Sequence, residues 1–582
     1  MSQETDKVKE NREKWHKEII EPNMKRYGLK QSPVRFYGPD DLGEFDFNTK
    51  VGFPGQYPFT AGQDAMPAWQ ALADKTVKAE GKLEWGTSGA GKYAGFGTAA
   101  DYRDYLIDMH AMGRKGAPNM AIDLPTQCGY DSDDEHAVGE VGRVGVAIDS
   151  LRDFEIIYEP YTGDLDLDKI ASNFTINAPA IIIIAMYAAL AEQRGIPHKK
   201  LRGTPQNDIL KEYVGRGTYI FPPAPALRLF RDTLVFCNEN MPKFNITSIG
   251  GYHMREAGIT REQDLAFSLV IGAAYLQQGI DAGKDIDSFA PRFTFNGFGG
   301  SMEIYKEIAF HRASRRMWAR MLKERFGAKN PRSMMVRQIS TASIGVSSTQ
   351  LQRPLNNLSR SVIGGVAAGM SNGVPNTFPP FDEPLGLGHS FEAQQLSYDA
   401  VRILIYECKL GEVLDPWAGS YFMEAMTNEI EENAEKEYKK IEEMGGAVAA
   451  IENGYMQRTA AQGAYKIQNA LENKEKLVVG VNCFNGPSEI DVQVVRNVEE
   501  VYSPERKASA EQRQIENVKK LRKERDSKAV AANLKKLRET AADESKSVMP
   551  DVYECVKSYA TVQEICDVLR EVFGEAKPPA FI

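Results

Sequence analysis

Short apolar segments alternate with longer helical patterns between about residue 91 and residue 370. Each short segment is rich in apolar residues or Gly, which is typical of a buried strand. The predicted strands are 92–96, 119–123, 173–177, 201–205, 245–251, 292–296, 334–339 and 362–370. Helical patterns such as 98–114 and 261–279 lie between them. Eight strands alternating with helices predict an α/β fold, specifically a (β/α)8 TIM barrel.

The chain outside this repeating region is mainly helical. We expect an N-terminal arm at 1–55, the barrel at 56–390, a helical continuation at 391–500 and a C-terminal helical tail at 501–582. The dense mixture of charges at 503–547 is typical of a solvated helix or helical wrap.

The segment 427–446 illustrates the helical part. Its apolar positions fall on one face of a helix, at Ile430, Ala434, Tyr438, Ile441 and Met444. Thr427 is the expected N-cap, and the Gly445-Gly446 pair is the expected end.

Composition and charge restrict the class of protein. The 582 residues are 42% hydrophobic and 26% charged, with a net charge of -9, which argues against a nucleic-acid-binding protein. The six cysteines form no C-x-x-C pair, as expected for reduced thiols in a cytoplasm. The charged N-terminus lacks the apolar stretch of a signal peptide. The apolar run 180–191 is too short to span a bilayer, so it predicts a buried helix in a cytoplasmic protein.

A Gly-rich segment almost matches a phosphate-binding loop. Residues 86–92, GTSGAGK, fit Gly-x-x-x-x-Gly-Lys, but Tyr93 replaces the Ser or Thr that would bind magnesium. The segment also leads into a strand rather than a helix. We favour a Gly-rich turn required by backbone geometry over an NTPase or chaperone, although nucleotide binding stays open as an alternative.

A second segment resembles a cobalt-ligating motif. Residues 134–139, DEHAVG, fit Asp-x-His-x-x-Gly, but they lie inside the predicted barrel rather than near the start of a flavodoxin-like domain. We therefore expect His136 to be a surface-loop histidine. The other histidines lack ligand spacing, so no metal site is predicted.

Polar and aromatic residues follow several of the predicted strands. Chemistry in a TIM barrel belongs at the carboxyl-terminal strand ends. The residues expected there are Tyr93, Asp123, Gln127, Gln206, Asn207, Tyr252 and His253.

These segments also carry a family resemblance. The matching segments are YAGFGTA, DLPTQCGYDSD, EVGRVGVAIDS, GTPQNDILKEYVGRGTYIFPP, GGYHMREAG, FAPRFTFN, LDPWAGSYF and VGVNCF. In this order they resemble the large catalytic subunit of the adenosylcobalamin-dependent acyl-CoA mutases, the methylmalonyl-CoA mutase family, over roughly residues 55–485. The resemblance implies a radical rearrangement in which a carbonyl-bearing group migrates to the neighbouring carbon, in a barrel whose axis admits the CoA arm.

The resemblance also implies residue roles. Tyr93 matches a tyrosine that packs against the substrate and helps displace the adenosyl group. His253 matches a histidine that hydrogen-bonds the thioester carbonyl, and Gln206 matches a substrate-side amide. Tyr252 lies beside the histidine, and Arg216 matches the arginine that binds the free carboxylate of methylmalonyl-CoA.

Three positions bear on the substrate. Relatives that act on isobutyryl- or 2-hydroxyisobutyryl-CoA have Gln in place of Arg216, and the hydroxyacyl type has Ile in place of Tyr93 and Asp in place of Ala121. The residues at these three positions in this chain therefore favour dicarboxylic acyl-CoA substrates. An isobutyryl- or 2-hydroxyisobutyryl-CoA-type mutase remains the alternative.

The chain departs from the family pattern in three places. Residues 61–92 differ from the usual CoA-binding stretch, so Lys92 and the turn at 86–92 are a hypothetical phosphate cradle. Gln127-Cys128 replaces His-Arg, and polar groups within 338–377 become Ala and Gly. These changes suggest either a roomier pocket for a bulkier alkyl- or aryl-substituted diacid or shifted contacts with the cofactor. Gln127, Lys92 and Arg332 join the expected substrate-binding residues.

No cobalamin-binding domain is recognised in the sequence. The resemblance therefore implies a separate small cobalamin-binding subunit that shares adenosylcobalamin, in a dimer of large subunits or a heterotetramer, with a G-protein chaperone as a further partner. A non-catalytic structural paralogue is the competing interpretation.

Overall fold

The computed structural model describes residues 2–32, 36–42, 45–63, 90–111, 116–296, 302–340, 348–371, 379–385, 391–486 and 504–577. Within these ranges lie seven strands, namely β1 Ala90–Ala94, β2 Ala117–Ala121, β3 Ser172–Thr175, β4 Gly203–Pro205, β5 Thr247–Ile249, β6 Phe293–Asn296 and β7 Gln338–Ser340. They pair in parallel and in chain order, as one sheet of β1 to β4 and another of β5 to β7.

Backbone hydrogen bonds join the two sheets. The Asn245 N–H donates to the Gly203 oxygen at 2.9 Å, and the Ser248 N–H donates to the Gln206 oxygen at 2.8 Å. The carboxyl ends of β4 and β5 therefore lie side by side. The predicted α/β class, with parallel strands and alternating helices, is confirmed.

Helices surround the strands and make up most of the chain. In chain order they are α1 Ser2–Trp15, α2 Glu21–Arg26, α3 Phe47–Lys50, α4 Ala99–Ala111, α5 Leu124–Gln127, α6 Leu151–Ile157, α7 Ala180–Gln193, α8 Ile209–Lys211, α9 Pro223–Asn240, α10 Tyr252–Glu256, α11 Arg261–Asp281, α12 Ile286–Phe289, α13 Ile304–Arg320, α14 Asn356–Met370, α15 Phe391–Arg402, α16 Tyr421–Glu443, α17 Gly446–Glu452, α18 Tyr455–Glu472, α19 Pro504–Glu524, α20 Ser527–Ala541, α21 Met549–Lys557 and α22 Val562–Phe573.

The predicted eighth strand, 362–370, is wrong, because this segment belongs to α14. Its apolar and small residues suggested a strand when taken alone. Six of the eight buried positions of α14 recur at intervals of one, three and four, which is typical of one helical face, and they are Asn357, Arg360, Ser361, Gly364, Gly365 and Ala368; Ala367 and Gly369 are also buried. The polar members of that face, upstream of the apolar run, concealed the pattern.

The apolar run at 180–191 is a buried helix, as predicted, since each of its residues in α7 is shielded from solvent. It packs against the parallel strands as part of one large hydrophobic core. Among the described residues, no helix is both long enough and apolar enough to cross a membrane.

The helix predicted at 427–446 is confirmed, but Thr427 is not its cap. Helix α16 begins earlier, after Ser420, whose side chain accepts a hydrogen bond from the Met423 N–H. Thr427 is buried within the helix and accepts a hydrogen bond at 2.9 Å from the Arg312 guanidinium. The predicted end at Gly445 is confirmed by its left-handed backbone.

Two of the C-terminal helices, α19 and α22, contact the loop that follows β2. Arg570 donates to the Cys128 oxygen at 2.6 Å and to the Gly129 oxygen at 3.1 Å. Arg522 binds Asp131 and Asp133, each at 2.6 Å. The tail therefore supports the loop from its outer side.

Candidate active site

Gln206 lies at the end of β4, in the middle of a buried polar cluster. Its side-chain oxygen faces three donors: Asn177 Nδ2 at 2.9 Å, Lys211 Nζ at 3.0 Å and Arg216 Nη1 at 3.5 Å. Three donors on one side fix the orientation of the amide. Its Nε2 group makes no hydrogen bond to any residue that the structure describes, so the NH2 group is left to bind an acceptor.

Arg216 ends a π-helical turn, Glu212–Arg216, that continues from α8. Gly217 follows in a left-handed conformation, with φ at 87°, and terminates the turn. The Arg216 side chain is 22% exposed, and its Nη1 lies 3.5 Å from Glu212 Oε1. The guanidinium is therefore held on one side and accessible on the other.

Lys211 and Glu212 form a buried ion pair beside Gln206, and both side chains are 0% exposed. Glu212 also accepts from Asn177 Nδ2 at 2.7 Å and from the Thr218 hydroxyl at 2.6 Å. Burial raises the pKa of Glu212, but Lys211 and Arg216 lower it more, so this pKa lies below its ordinary value. Burial lowers the pKa of Lys211.

The sequence analysis did not identify Lys211 and Glu212 as part of the site. The sequence did contain a signal. The two charged residues interrupt an apolar segment, with Ile209-Leu210 before them and Tyr213-Val214 after them, and all four of these apolar residues are buried. Two adjacent charged side chains inside a buried helical turn need oppositely charged or hydrogen-bonding partners. A cluster of such buried polar groups is typical of a functional site.

His253 and Tyr252 open α10, directly after β5. Their ring centroids are 3.8 Å apart. The Nδ1 atom of His253 is buried and has no hydrogen-bond partner among the described residues. Burial, and then the charges of Lys211 and Arg216, place the pKa of His253 well below 6.5. The imidazole is therefore neutral, with one donor and one acceptor nitrogen.

A glycine allows these elements to approach one another. A β-carbon on Gly215 would lie 2.8 Å from the His253 main-chain oxygen. A β-carbon on Gly250 would be in ordinary van der Waals contact, 3.4 Å from Lys211 Cε and 3.5 Å from His253 Nδ1, so Lys211 and His253 both lie next to Gly250. The structure thus brings Gln206, Arg216 and His253 into one cluster.

Gln127 lies at the edge of this cluster. It is buried, its Nε2 donates to the Ile122 oxygen, and its Oε1 is 3.5 Å from the Thr218 hydroxyl, which binds Glu212. Gln127 therefore reaches the site through Thr218.

Asp123 and Asn207 follow strands as expected, but they bind the protein itself. Asp123 accepts from the Thr126 N–H at 3.1 Å and from the Gly142 N–H at 2.8 Å, and burial raises its pKa to about 6. The Asn207 amide donates to the Ile246 oxygen at 3.1 Å. Both side chains stabilise the strand ends that position the site.

Tyr93 and Lys92 are placed only through their backbone. Both belong to β1, and the Cα of Tyr93 pairs with that of Asn119 in β2. Their side chains, and residues 64–89 with most of the Gly-rich turn, lie outside what the structure describes. The roles expected for Tyr93 and Lys92 therefore stay predictions.

Arg332 lies apart from the cluster. It occupies an exposed 3-10 turn, Pro331–Met334, before β7 begins, and thus at the amino-terminal side of that strand. The prediction for His136 is confirmed: its side chain is 60% exposed on a short turn and lies 2.8 Å from Asp134.

Comparisons with known proteins agree with the motifs. The family model described as Methylmalonyl-CoA mutase matches residues 29–575. The chain belongs to the methylmalonyl-CoA mutase family. Members of this family are isomerases, that is, intramolecular transferases, and this chain belongs to that class of enzyme.

Individual relatives show how much of each protein is shared. The chain is 35% identical over 529 residues to the probable mitochondrial methylmalonyl-CoA mutase of Caenorhabditis elegans, covering 91% of this chain and 67% of the relative. It is 36% identical over 491 residues to the methylmalonyl-CoA mutase of Escherichia coli K12, with 84% and 66% covered. The 2-hydroxyisobutanoyl-CoA mutase large subunit of Aquincola tertiaricarbonis is 36% identical over 530 residues, with 90% and 88% covered.

The chain thus spans about two thirds of the length of the methylmalonyl-CoA mutases that it matches. It spans most of the Aquincola relative, whose name describes a large subunit.

Proposed function

We propose that this chain is the large subunit of an adenosylcobalamin-dependent mutase that moves a carbonyl-CoA group between neighbouring carbons of a dicarboxylic acyl-CoA. The substrate is of the methylmalonyl/succinyl-CoA type or a bulkier alkyl- or aryl-substituted relative. The observation that carries the proposal is the partly exposed Arg216 guanidinium beside the Gln206 amide NH2 and the neutral imidazole of His253.

Arg216 binds one part of the substrate, and Gln206 and His253 together bind another. Arg216 binds the free carboxylate, since a guanidinium is permanently charged and can bind a carboxylate through two hydrogen bonds. Gln206 and His253 donate to the thioester oxygen and stabilise the charge that gathers on it as the group migrates. A neutral imidazole retains one N–H group that can donate to this oxygen. Tyr93 packs against the substrate, by resemblance to the family.

Adenosylcobalamin, when bound, supplies the carbon radical that removes a hydrogen atom from the substrate. The groups at these strand ends would suit a thioester oxygen, because the buried Nδ1 of His253 and the Gln206 NH2 are both left without protein partners among the described residues. The protein holds the substrate and excludes water while a radical is present.

The architecture that we propose is a TIM barrel at 56–390, with an arm at 1–55, a helical continuation at 391–500 and a helical tail at 501–582. The CoA arm runs along the barrel axis, so that Arg332, at the amino-terminal side of β7, and Lys92 bind its distal part. A separate small subunit shares the cofactor, in agreement with the large-subunit name of the Aquincola relative.

Two alternatives differ from this proposal at defined residues. A mutase for isobutyryl- or 2-hydroxyisobutyryl-CoA lacks a carboxylate for Arg216, and in the hydroxyacyl type Asp replaces Ala121. A non-catalytic paralogue does not need a cluster of polar side chains at the strand ends. The presence of Gln206, Arg216 and His253 in one cluster favours the catalytic reading.

The experiment combines the chain with the small cobalamin-binding subunit of its host and adenosylcobalamin, without oxygen. Dicarboxylic and monocarboxylic CoA thioesters are offered separately, and the products are resolved by mass-detected chromatography. Isomerisation confined to diacids supports the proposal. Turnover of monoacids contradicts the role of Arg216, and absence of turnover with bound cofactor favours the paralogue.

A further inference from the structure

Asn177 is a buried side chain that the proposed reaction does not use directly. It lies two residues beyond the end of β3 and is 2% exposed. Its Nδ2 donates to Gln206 Oε1 at 2.9 Å and to Glu212 Oε1 at 2.7 Å, and its Oδ1 accepts from the Asp208 N–H at 3.0 Å. The NH2 group and the oxygen of this amide are therefore both engaged by the protein.

Two neighbours of Asn177 determine which way its amide points. The main-chain N–H of Asp208 can only donate, so the atom that faces it has to be the oxygen. The carboxylate of Glu212, whose pKa lies below its ordinary value, can only accept, so the atom that faces it has to be the nitrogen. Both neighbours thus require the same orientation, with the NH2 group toward Gln206.

The orientation of Asn177 in turn determines that of the Gln206 amide. The Gln206 atom that faces the Asn177 NH2 group has to be an acceptor, which is Oε1. Lys211 Nζ contacts the same oxygen at 3.0 Å. It requires the same orientation, whichever of Glu212 and Asp208 balances its charge. The Gln206 NH2 group therefore lies on the opposite side of the amide, and Gln206 meets the substrate as a donor.

Main-chain hydrogen bonds hold the two amides beside each other. The Gln206 N–H donates to the Phe174 oxygen at 2.8 Å, and the Asn207 N–H donates to the Ile176 oxygen at 2.8 Å. The chain segments that follow β3 and β4 thus continue side by side. Since these bonds fix the backbones, the side-chain contact of Asn177 decides how the Gln206 amide is turned.

We propose that Asn177 is a positioning residue that turns the Gln206 amide so that its NH2 group donates to the thioester oxygen of the acyl-CoA substrate. This inference rests on the proposed function. If the amide were turned over, its own oxygen would face the thioester oxygen, and two acceptors would repel each other. Asn177 therefore sets the preference of the site for a carbonyl at this position without touching the substrate.

The test exchanges donor and acceptor in this cluster while its net charge stays the same. In N177D/E212Q the carboxylate moves to position 177, where it can still accept from the Asp208 N–H. The amide placed at position 212 can still accept from the Thr218 hydroxyl and can donate to the new carboxylate. The Gln206 amide is then drawn to turn its NH2 group inward, toward that carboxylate.

Dissociation constants are measured for the full complex with its small subunit. The two ligands are methylmalonyl-CoA and its thioether analogue, in which two hydrogens replace the thioester oxygen. We expect N177D/E212Q to weaken methylmalonyl-CoA about tenfold and the thioether about twofold or less, because only the thioester has an oxygen that loses its donor.

Asn245→Asp is the matched control. The Asn245 amide donates to Thr204 Oγ1 at 2.8 Å, at the amino-terminal side of β5, and makes none of the described contacts to Gln206. This variant should leave the ratio of the two dissociation constants within about twofold of wild type.

A purely structural role for Asn177 predicts a different pattern. Equal weakening of both ligands by N177D/E212Q, or no change in either, overturns the inference. Where this variant does not fold, Asn177→Ala decides, since it removes the donor without adding a charge. A loss of about fivefold confined to the thioester supports the inference, and an equal loss for both ligands refutes it. Failure of the proposed function is distinct, because wild type itself would then bind the thioester no more tightly than the thioether.

Discussion

Gly215 packs directly against the main chain of His253, and a β-carbon on this glycine would stand 2.8 Å from the His253 oxygen. This contact joins the turn that carries Arg216 to the helix that carries His253. Arg216 and His253 are 37 positions apart in the sequence. A β-carbon at Gly215 would force the turn or α10 to shift, so the absence of a side chain here allows the two elements to pack this closely.

We expect Gly215→Ala to disrupt substrate binding more than folding. Real β-carbons do not come this close to a main-chain oxygen, so the turn or α10 has to shift. A displacement of the reacting groups by a fraction of an ångström lowers kcat/KM by about tenfold to a hundredfold. Steady-state kinetics of the assembled enzyme measure this loss.

Gly217→Asn is the matched control for that experiment. Gly217 lies two residues further on, has φ at +87°, and nothing lies within 4 Å of its β-carbon position. Asn is tolerated in the left-handed region. The control should keep kcat/KM within about threefold of wild type. Equal losses in both variants would show that the Gly215 contact is unimportant.

Arg216→Gln should separate diacid from monoacid substrates. The guanidinium is partly accessible and loosely held by Glu212, so its loss removes the charged partner of a substrate carboxylate. The KM for a dicarboxylic acyl-CoA should rise by about tenfold to a hundredfold, and that for a monocarboxylic one should not rise. Arg143→Gln, at an exposed arginine, is the control. An equal rise for both substrates would contradict carboxylate binding.

Diacid binding should not depend on protonation of His253 near neutral pH. The pKa of His253 lies well below 6.5 because of burial and then of the charges of Lys211 and Arg216. The imidazole is therefore already neutral at a pH equal to the ordinary histidine pKa, and it remains neutral at higher pH. Dissociation constants measured from about pH 6 to about pH 8 should show the same slope in wild type and His253→Asn. The CoA phosphate titrates equally in both measurements, so comparing the two proteins cancels its effect. A dependence of the dissociation constant on pH that is present only in wild type would refute the prediction.

Asp264→Asn should alter the pH dependence of stability. Burial raises the pKa of Asp264 to about 7, whereas an unfolded aspartate titrates near about 3.9. The folded state binds the proton more tightly, so this contribution is complete below the unfolded pKa and is lost as pH rises through about 7. The melting temperature of the variant relative to wild type should therefore increase from about pH 5 to about pH 8.

Asp168→Asn provides the control for Asp264. The pKa of Asp168 lies below its ordinary value because Lys169 and Lys200 donate hydrogen bonds to its carboxylate. Its removal should leave no trend with pH above about 6. A trend of the same size in both variants would contradict the assignment of the trend to Asp264.

Arg332→Gln tests the path of the CoA arm. Arg332 is exposed at the amino-terminal side of β7, away from Gln206 and His253. If it binds the distal part of CoA, its loss should raise KM about threefold to tenfold for every CoA ester, whatever the acyl group. Unchanged KM values would remove Arg332 from the substrate-binding residues.

Much of the fold could be predicted because strand and helix periods are local. The helices at 180–191 and 261–279 and seven of the strands follow from runs of apolar residues. The eighth strand failed because the face of α14 includes buried polar residues such as Asn357 and Arg360, and their partners are distant in the chain. Thr427 failed as a cap for the same reason, since its partner is Arg312.

The sequence by itself determined the family and the parallel α/β plan, and it predicted Gln206, Arg216 and His253 as site residues, because ordered motifs and local periodicity can be recognised along the chain. Only the tertiary structure decided that Lys211 and Glu212 belong to the site, that the Gln206 oxygen is occupied, and that His253 is neutral. The reason is physical: a pKa and a hydrogen-bond partner depend on burial and on charges brought close by folding, which no local pattern records.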